Sequence, residues 1–520
     1  MVANPVPVHG DHDVDRAPAP QASSRWRRWT KSPHLWVSST YFAEGLPYTV
    51  VNNLAEILFK ELGASLQVVG LTSLLHLPWN FKFLWGPFVD GYETKRRWLL
   101  ATELLIVAVL VMLGLLAAAS GVALLPLAVG FAILALLSAT HDIAIDGFYM
   151  EVLDEGQQSS FVGYRAAAYR ISALIVGGPV VALSARFGWT LGLGLAAMMM
   201  AVLLGYHAYA LARTEQLRPS WRSLGRVLIA WRVMPLWLTA ALLIVLEHRW
   251  AFWTSVSWRL EALIHEVPWL GEIGVGGWIG IGLLLAFLVI APIVRRKLAT
   301  ARKAAAEGES SAYAQSFQSF LAQPKVGLML AFAILFRTGE SFLQKMRWPF
   351  FDDVVGLPLE HYGIANGTIG VLASFAATII GGRLIARDGL RKWIWPFVLA
   401  QNLLNLLYMG LALSPDPRAI DLVTLTFVIA CEHAGAGLGT AVFMVYLMRT
   451  CDPAHKAGHF AIVTALMSVS FTIAGVASGF LADELGFANY FGFTFLATIP
   501  GMVLIFFIPH LDGRETTAAK

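Results

Sequence analysis

Charged side chains are scarce in this chain: Asp, Glu, Lys and Arg make up 14% of its 520 residues, against roughly a quarter in an ordinary soluble domain. Beside a hydrophobic share of 57%, that scarcity excludes a water-soluble fold. Cysteine is scarcer still. The two present, Cys431 in an apolar run and Cys451 in a loop, exclude a disulfide framework and a thiolate metal site. Positive charge is not in excess either. The net charge of +4 is too small for a nucleic-acid binder once the positives are assigned to loops. The opening stretch, Pro- and Ala-rich with a basic end at Arg25, Arg27 and Arg28, lacks the apolar core of a signal peptide. We expect residues 1–34 to form a disordered cytoplasmic tail.

What remains is a series of apolar runs, each near the length of about 20 residues that crosses a bilayer. They fall at 35–59, 66–90, 98–119, 122–150, 162–184 and 188–212, then near 233–253 and 274–294, then at 326–351, 362–386, 391–413, 419–448, 459–482 and 489–510. The expected fold is therefore all-α and membrane-spanning, with about fourteen spans. The domains are an N-terminal six-helix bundle (35–212), a linker with two extra helices (213–325), a C-terminal six-helix bundle (326–510) and a short cytoplasmic tail (511–520). Alternate loops carry the basic residues, among them Lys95, Arg96, Arg97, Arg387, Arg391 and Lys392. Positive residues in short loops stay on the cytoplasmic side, so both termini are predicted there.

Two internal echoes join the halves. GPFVDGYETKRR (86–97) matches GGRLIARDGLRK (381–392) after the second span of each half, and GGPVVALSARFGW (177–189) matches AGVASGFLADELGF (474–487) at the fifth. Duplicated six-helix halves are a transporter architecture. The turns around Asp90 with Arg96, and Asp388 with Arg391, are candidate gates on the cytoplasmic side.

Several longer stretches narrow this further: YFAEGLPYTVV (41–51), LPWNFKFLWGPFVDG (77–91), ATHDIAIDGF (139–148), AYRISALIVGG (168–178), LFRTGESF (335–342) and CEHAGAGLGTAVFMVYLM (431–448). Together they resemble the AmpG-type muropeptide permeases and the peptide and acetyl-coenzyme A transporter branch of the major facilitator superfamily, over about residues 35 to 510. The resemblance implies two six-helix bundles with two central helices between them. It also implies a multi-pass importer of the bacterial inner membrane that uses the proton gradient to carry anhydromuropeptides inward. Relatives in this branch carry other cargo, including siderophores and acetyl-coenzyme A.

The chemistry read from the residues lies in ionisable groups inside the spans. Each costs roughly 2.5–3.5 kcal/mol at the bilayer centre, so it faces a partner or a wet cavity. Glu44, Lys82, Asp142, Asp146 and Arg170 fall at similar depth when the helices are threaded in alternating directions. Asp142 and Asp146, spaced i,i+4, share a helix face and repel unless Lys82 or Arg170 lies between them or one is protonated. Glu44 and Asp142, with Glu340 and Glu432 of the second half, are candidate proton carriers; the alternative is static ion pairs or gates, which we favour for Asp146. Gly45 and Pro47 are expected to loosen the first helix. In the second half Arg337 is expected to pair with Glu432, leaving Glu340 beside His433 as a second proton-sensitive site, with simple packing of His433 as the alternative.

Candidate cargo contacts are Tyr41, Tyr48, Asn52, Trp79, Gln344 and Asn402, with Lys82, His141, Arg170 and Arg337 as polar or cationic partners. Asn53, His76 and Asn80 stand beside them. Lys345 and Arg347 lie near the external end, where they either steer anions or snorkel to the surface. A multispanning enzyme is the rival class. It needs acids or histidines at a membrane face, and the only sizeable inter-span stretches, 254–273 and 295–325, hold no nucleophile–base set or metal-ligand spacing. We expect no catalytic residues, no metal and no cofactor. The expected partners are a small-molecule substrate, protons and the bilayer, without nucleic acid, and the protein is expected to be a monomer.

Overall fold

A computed structural model describes residues 30–82, 85–118, 124–213, 219–223, 319–452 and 456–512. The two expected central helices, the tail before residue 30 and the end after 512 lie outside the described residues. Within them the chain is helical, with no strand. Six rods occupy the first half: α1 (33–61), α2 (66–82 and 85–91), α3 (Lys95–Ala118), α4 (Leu124–Val152), α5 (155–187) and α6 (Trp189–Ala210). Six more follow: α7 (Val326–Val355), α8 (Leu359–Asp388), α9 (Leu390–Ala412), α10 (Leu422–Thr450), α11 (456–485) and α12 (487–504). Nine helical stretches among the described residues are long and apolar enough to cross a membrane. By that measure α11 and α12 count as one stretch, parted at Gly486, whose φ of +68° is open to glycine without strain.

One large apolar core runs through both halves, and each half adds a smaller core of its own. In the first, α5 lies along α1 and α3 lies between α4 and α6; in the second, α10 is flanked by α8 and α9, and α7 rests on α12, where Tyr490 donates to the Phe342 carbonyl. Pro47 sits inside α1, and one turn beyond it the helix widens into a π-helical turn at Val50–Leu54. Prolines or glycines stand at the other π-helical turns too: Val176–Val180 in α5, Phe351–Val355 just after Pro349 in α7, and Gly363–Gly370 in α8. Such turns open the backbone where side chains must be redirected.

The halves meet along two seams, α2 against α11 and α5 against α8, both toward the end that carries the loops near residues 63, 188, 357 and 486. Glycine makes both possible. A Cβ on Gly367 would lie 1.8 Å from the carbonyl oxygen of Gly177, and one on Gly479 would lie 2.0 Å from that of Leu66. Polar bridges reinforce this end: Gln67 donates to Asp483 at 2.7 Å, Lys60 pairs with Asp353 at 2.5 Å, and buried Lys345 pairs with Glu56 at 2.8 Å. The other end is loose. There Lys82, Asp146 and Arg165, all well inside the bundle, have side chains 37%, 37% and 32% exposed. Polar groups exposed at this depth face a water-filled vestibule rather than lipid, so the structure is sealed at one end and open at the other.

Candidate functional site

Between the halves, next to the sealed end, lie two adjoining cavities of about 150 and 270 Å³ that share Asn52, Asn53, Gln344 and Phe471. The π-helical turn in α1 carries both asparagines into them. Tyr48, His76, Arg337 and Glu340 line the larger; Arg347, Asn366 and His433 line the smaller. His76 bonds Asn52 through Nδ1 at 3.0 Å and stacks on Trp79, whose ring also meets Tyr48 edge-on at 5.0 Å. Trp79 therefore backs the cavity rather than lining it.

On the vestibule side of the first half, three carboxylates gather. Oxygens of Glu44, Asp142 and Asp146 all lie within 4.8 Å of one another. Lys82 takes Asp142 at 2.7 Å. Asp146 accepts from Tyr41 at 2.6 Å and from Arg165 at 2.8 Å, and the guanidinium of Arg165 lies over the Tyr41 and Tyr149 rings. Glu44 has no cation within ion-pair distance among the described residues, and its Oε2 is buried without a hydrogen bond. Two cations thus balance three acids. With Lys82 and Arg165 already bound to two of them, the cluster suits a proton better than a metal ion.

The second half is balanced pair by pair. Arg337 grips Glu340 through Nε at 2.9 Å and through Nη2, and Gln344 donates to the same carboxylate at 2.8 Å. Arg347 pairs with Glu432 at 2.8 Å and donates to Asn366 at 2.7 Å and to His433 Nε2 at 2.8 Å. Arg347 has no acceptor to offer, so His433 receives that bond on an unprotonated nitrogen.

Several sequence expectations are corrected here. Arg337 does not pair with Glu432, because Glu340 one turn away is already in reach and Arg347 occupies Glu432. Glu340 is consequently held by Arg337 and is not free beside His433. Arg170 is not part of the acid cluster: Arg165, five residues earlier on α5, takes Asp146, while Arg170 lies over Phe375 of α8 with no acid partner among the described residues. Lys345 and Arg347 are neither snorkelling nor free to steer anions, being 3% and 4% exposed and ion-paired. His141 is fully buried against Glu103 inside the first bundle, and Asn402 is buried beside Gln401, so neither reaches the cavity.

The gate candidates stay within their own halves in this structure. Arg96 donates to the carbonyls of Ala208 (2.6 Å) and Leu211 (3.2 Å) at the end of α6. Asp388 accepts from Arg387 and Trp393 at 3.0 Å, and Arg391 pairs with Asp512. Asp90 lies on Gly86–Gly91, and its side chain is outside the described residues. Residues passed over in the sequence are Glu56, Glu103, Arg165, His207 and Asn366. The first four were visible as ionisable groups in or beside apolar runs, by the same insertion cost that singled out Glu44. Asn366 carried no such signal.

Comparison with known proteins bears on the fold. Residues 35–172 match the family described as Acetyl-coenzyme A transporter 1. The chain is 22% identical over 469 residues to the anhydromuropeptide permease of Escherichia coli (strain K12), covering 89% of this chain and 77% of that one. It is 19% identical to the putative transporter AmpG 4 of Rickettsia felis, covering 89% and 93%. A crystal structure of a POT family transporter in complex with 5-aminolevulinic acid superposes with a TM-score of 0.62 at 13% identity, covering 92% of this chain and 96% of that one. The peptide transporter POT in complex with sulfate gives 0.60 at 15%, covering 94% of each. The chain is therefore a multi-pass secondary transporter with the fold of these POT structures, similar over 89% of its length to an anhydromuropeptide permease.

Proposed function

We propose that this transporter is a proton-coupled importer of cell-wall muropeptides across the bacterial inner membrane, working by alternating access. The sealed end then faces the periplasm and the open vestibule the cytoplasm. Supporting this orientation, the basic turns with Lys95, Arg96, Arg97, Arg387, Arg391 and Lys392 all stand at the open end. The two bundles, 35–212 and 326–510, rock about the central cavities, and the turns at Asp90 and Asp388, with Arg96, Arg391 and Asp146, move together when the inward side closes.

The observation that carries the reading is a pair of unmatched charges: among the described residues, Glu44 has no cation and Arg170 no acid within ion-pair distance. An unmatched acid among two other carboxylates binds a proton to relieve their repulsion, which removes the excess charge before the passage closes over it. Asp142, whose carboxylate lies within 4.8 Å of that of Glu44, shares that proton. An unmatched guanidinium suits a cargo carboxylate, with Arg337 as its neighbour in the cavity wall. Tyr48 and Phe471 offer ring faces to a sugar, and Asn52, Asn53 and Gln344 offer amides to hydroxyls and peptide groups. The cargo is taken from the Escherichia coli relative, an anhydromuropeptide permease.

The test is uptake into proteoliposomes of labelled anhydromuropeptide, acetyl-coenzyme A or a ferric siderophore under an imposed pH gradient. Gradient-dependent accumulation of the muropeptide alone is the expected result. Accumulation of acetyl-coenzyme A instead would favour the second reading, a nucleotide-thioester carrier, which the match of residues 35–172 supports. Siderophore uptake alone would overturn both.

A further inference from the structure

Away from the cavities, the first bundle hides a second set of ionisable groups that the transport reading leaves unused. Glu103 on α3, His141 on α4 and His207 on α6 are each fully buried. One carboxylate oxygen of Glu103 serves both imidazoles, at 2.5 Å from His207 Nδ1 and 3.4 Å from His141 Nε2. On its far side His207 Nε2 meets Ser39 Oγ of α1 at 2.9 Å. Three ionisable side chains in a dry bundle cost several kcal/mol that apolar residues would not, so packing alone is a poor reason for them.

We propose that Glu103, His207 and His141 form a protonatable site inside the first bundle, whose charge state acts on the neighbouring Asp142. Ser39 is what lets the site exist in two charge states. Its hydroxyl can donate to the Trp36 carbonyl, 3.1 Å away. It then accepts from His207 Nε2–H, and His207 is an imidazolium paired with the Glu103 carboxylate. Turned the other way, the same hydroxyl donates to a bare Nε2, and His207 is neutral. One hydroxyl rotation thus satisfies both states with no heavy atom displaced.

The link outward runs through α4. His141 and Asp142 are consecutive, so one faces the interior and the other faces Lys82 and the vestibule. Among the described residues both ring nitrogens of His141 are buried without a hydrogen bond, so the coupling is electrostatic: positive charge gained by the site stands one residue from Asp142 and favours its carboxylate form. The charged and titratable groups around the site are Asp142 with Lys82 on α2, Glu44 on α1 and Tyr206 on α6, whose hydroxyl bonds the Thr30 carbonyl. His141 thereby acts through Asp142, not as a cargo contact.

This inference rests on the proton-coupled reading, and the experiment separates the two. Full-length protein in proteoliposomes is assayed for gradient-driven accumulation and for exchange of labelled cargo without a gradient, each across pH 5 to 8. Glutamine in place of histidine keeps a donor toward Glu103 and an acceptor toward Ser39 but cannot titrate. His207→Gln is therefore expected to lower accumulation about tenfold and to flatten its pH profile, while exchange persists. Ser39→Ala, which removes only the rotating hydroxyl and keeps the helix, is expected to shift the pH profile in a folded protein whose thermal stability falls slightly, because His207 Nε2 loses its partner. Wild-type profiles in both variants, with Glu44→Gln still defective, would overturn the role of this site and leave proton coupling standing. Wild-type uptake indifferent to the gradient would overturn both.

Discussion

The two halves share a fold and an internal repeat, yet they handle buried charge in opposite ways. In the second half each acid has its own guanidinium: Glu340 has Arg337, and Glu432 has Arg347. In the first, three acids share two cations, and the side chains that hold Asp142 and Asp146 are a third exposed toward the vestibule. A closed pair has no reason to exchange its proton, whereas an acid crowded by two others does. The comparison teaches that a titrating site is marked less by burial than by an imbalance of partners. On the proposed reading, proton exchange belongs to the first half and rigid support to the second.

If the second half is support, breaking its pairs damages the fold. Arg347→Ala leaves Glu432 buried and uncompensated, for an expected loss of about 3–5 kcal/mol. The combined Arg347→Met, Glu432→Leu change, which removes both charges, is expected to recover most of it; thermal unfolding in detergent measures both. The glycine seams come next. Gly367→Val sets a branched side chain against the Gly177 carbonyl and is expected to weaken the sealed state by about 1–3 kcal/mol, read as a loss of uptake with the fold retained. In the first half, Arg170→Ala is expected to raise the KM for an anionic cargo about tenfold with little change in thermal stability, by loss of one hydrogen bond to a charged group. Smallest is the exposed bridge at the sealed rim: Lys60→Ala is expected to cost less than about 1 kcal/mol in the same unfolding measurement.

Helices and their order were legible because a bilayer demands long apolar runs, and the break of α1 beyond Pro47 followed from the missing N–H of proline. The repeat is legible too, and more deeply than composition suggests. The same separation along the chain divides Asp90 from Asp388, Gly177 from Gly475 and Gly188 from Gly486. The first two glycines lie in the seams and the last two end the fifth helix of each half at positive φ. Depth along a helix was legible for Glu44, Lys82, Asp142 and Asp146, which the structure brings together. Rotation about the helix was not. A shift of five residues, from Arg170 to Arg165, turns a side chain by more than a quarter of a circle, and that decides which guanidinium meets Asp146. For the same reason His141 turned inward while its neighbour Asp142 turned toward the vestibule. Pair choice in the second half failed on distance: Glu340, three residues from Arg337, needs no helix-to-helix approach, whereas Glu432 does.

The claim at the centre is that Glu44, the acid without a partner, carries the driving proton. Glu44→Gln in proteoliposomes tests it directly by comparing gradient-driven accumulation with gradient-free exchange of the same labelled cargo. The account predicts a roughly hundredfold loss of accumulation with exchange preserved, because the amide mimics the protonated acid permanently. Accumulation equal to that of the wild type would contradict it.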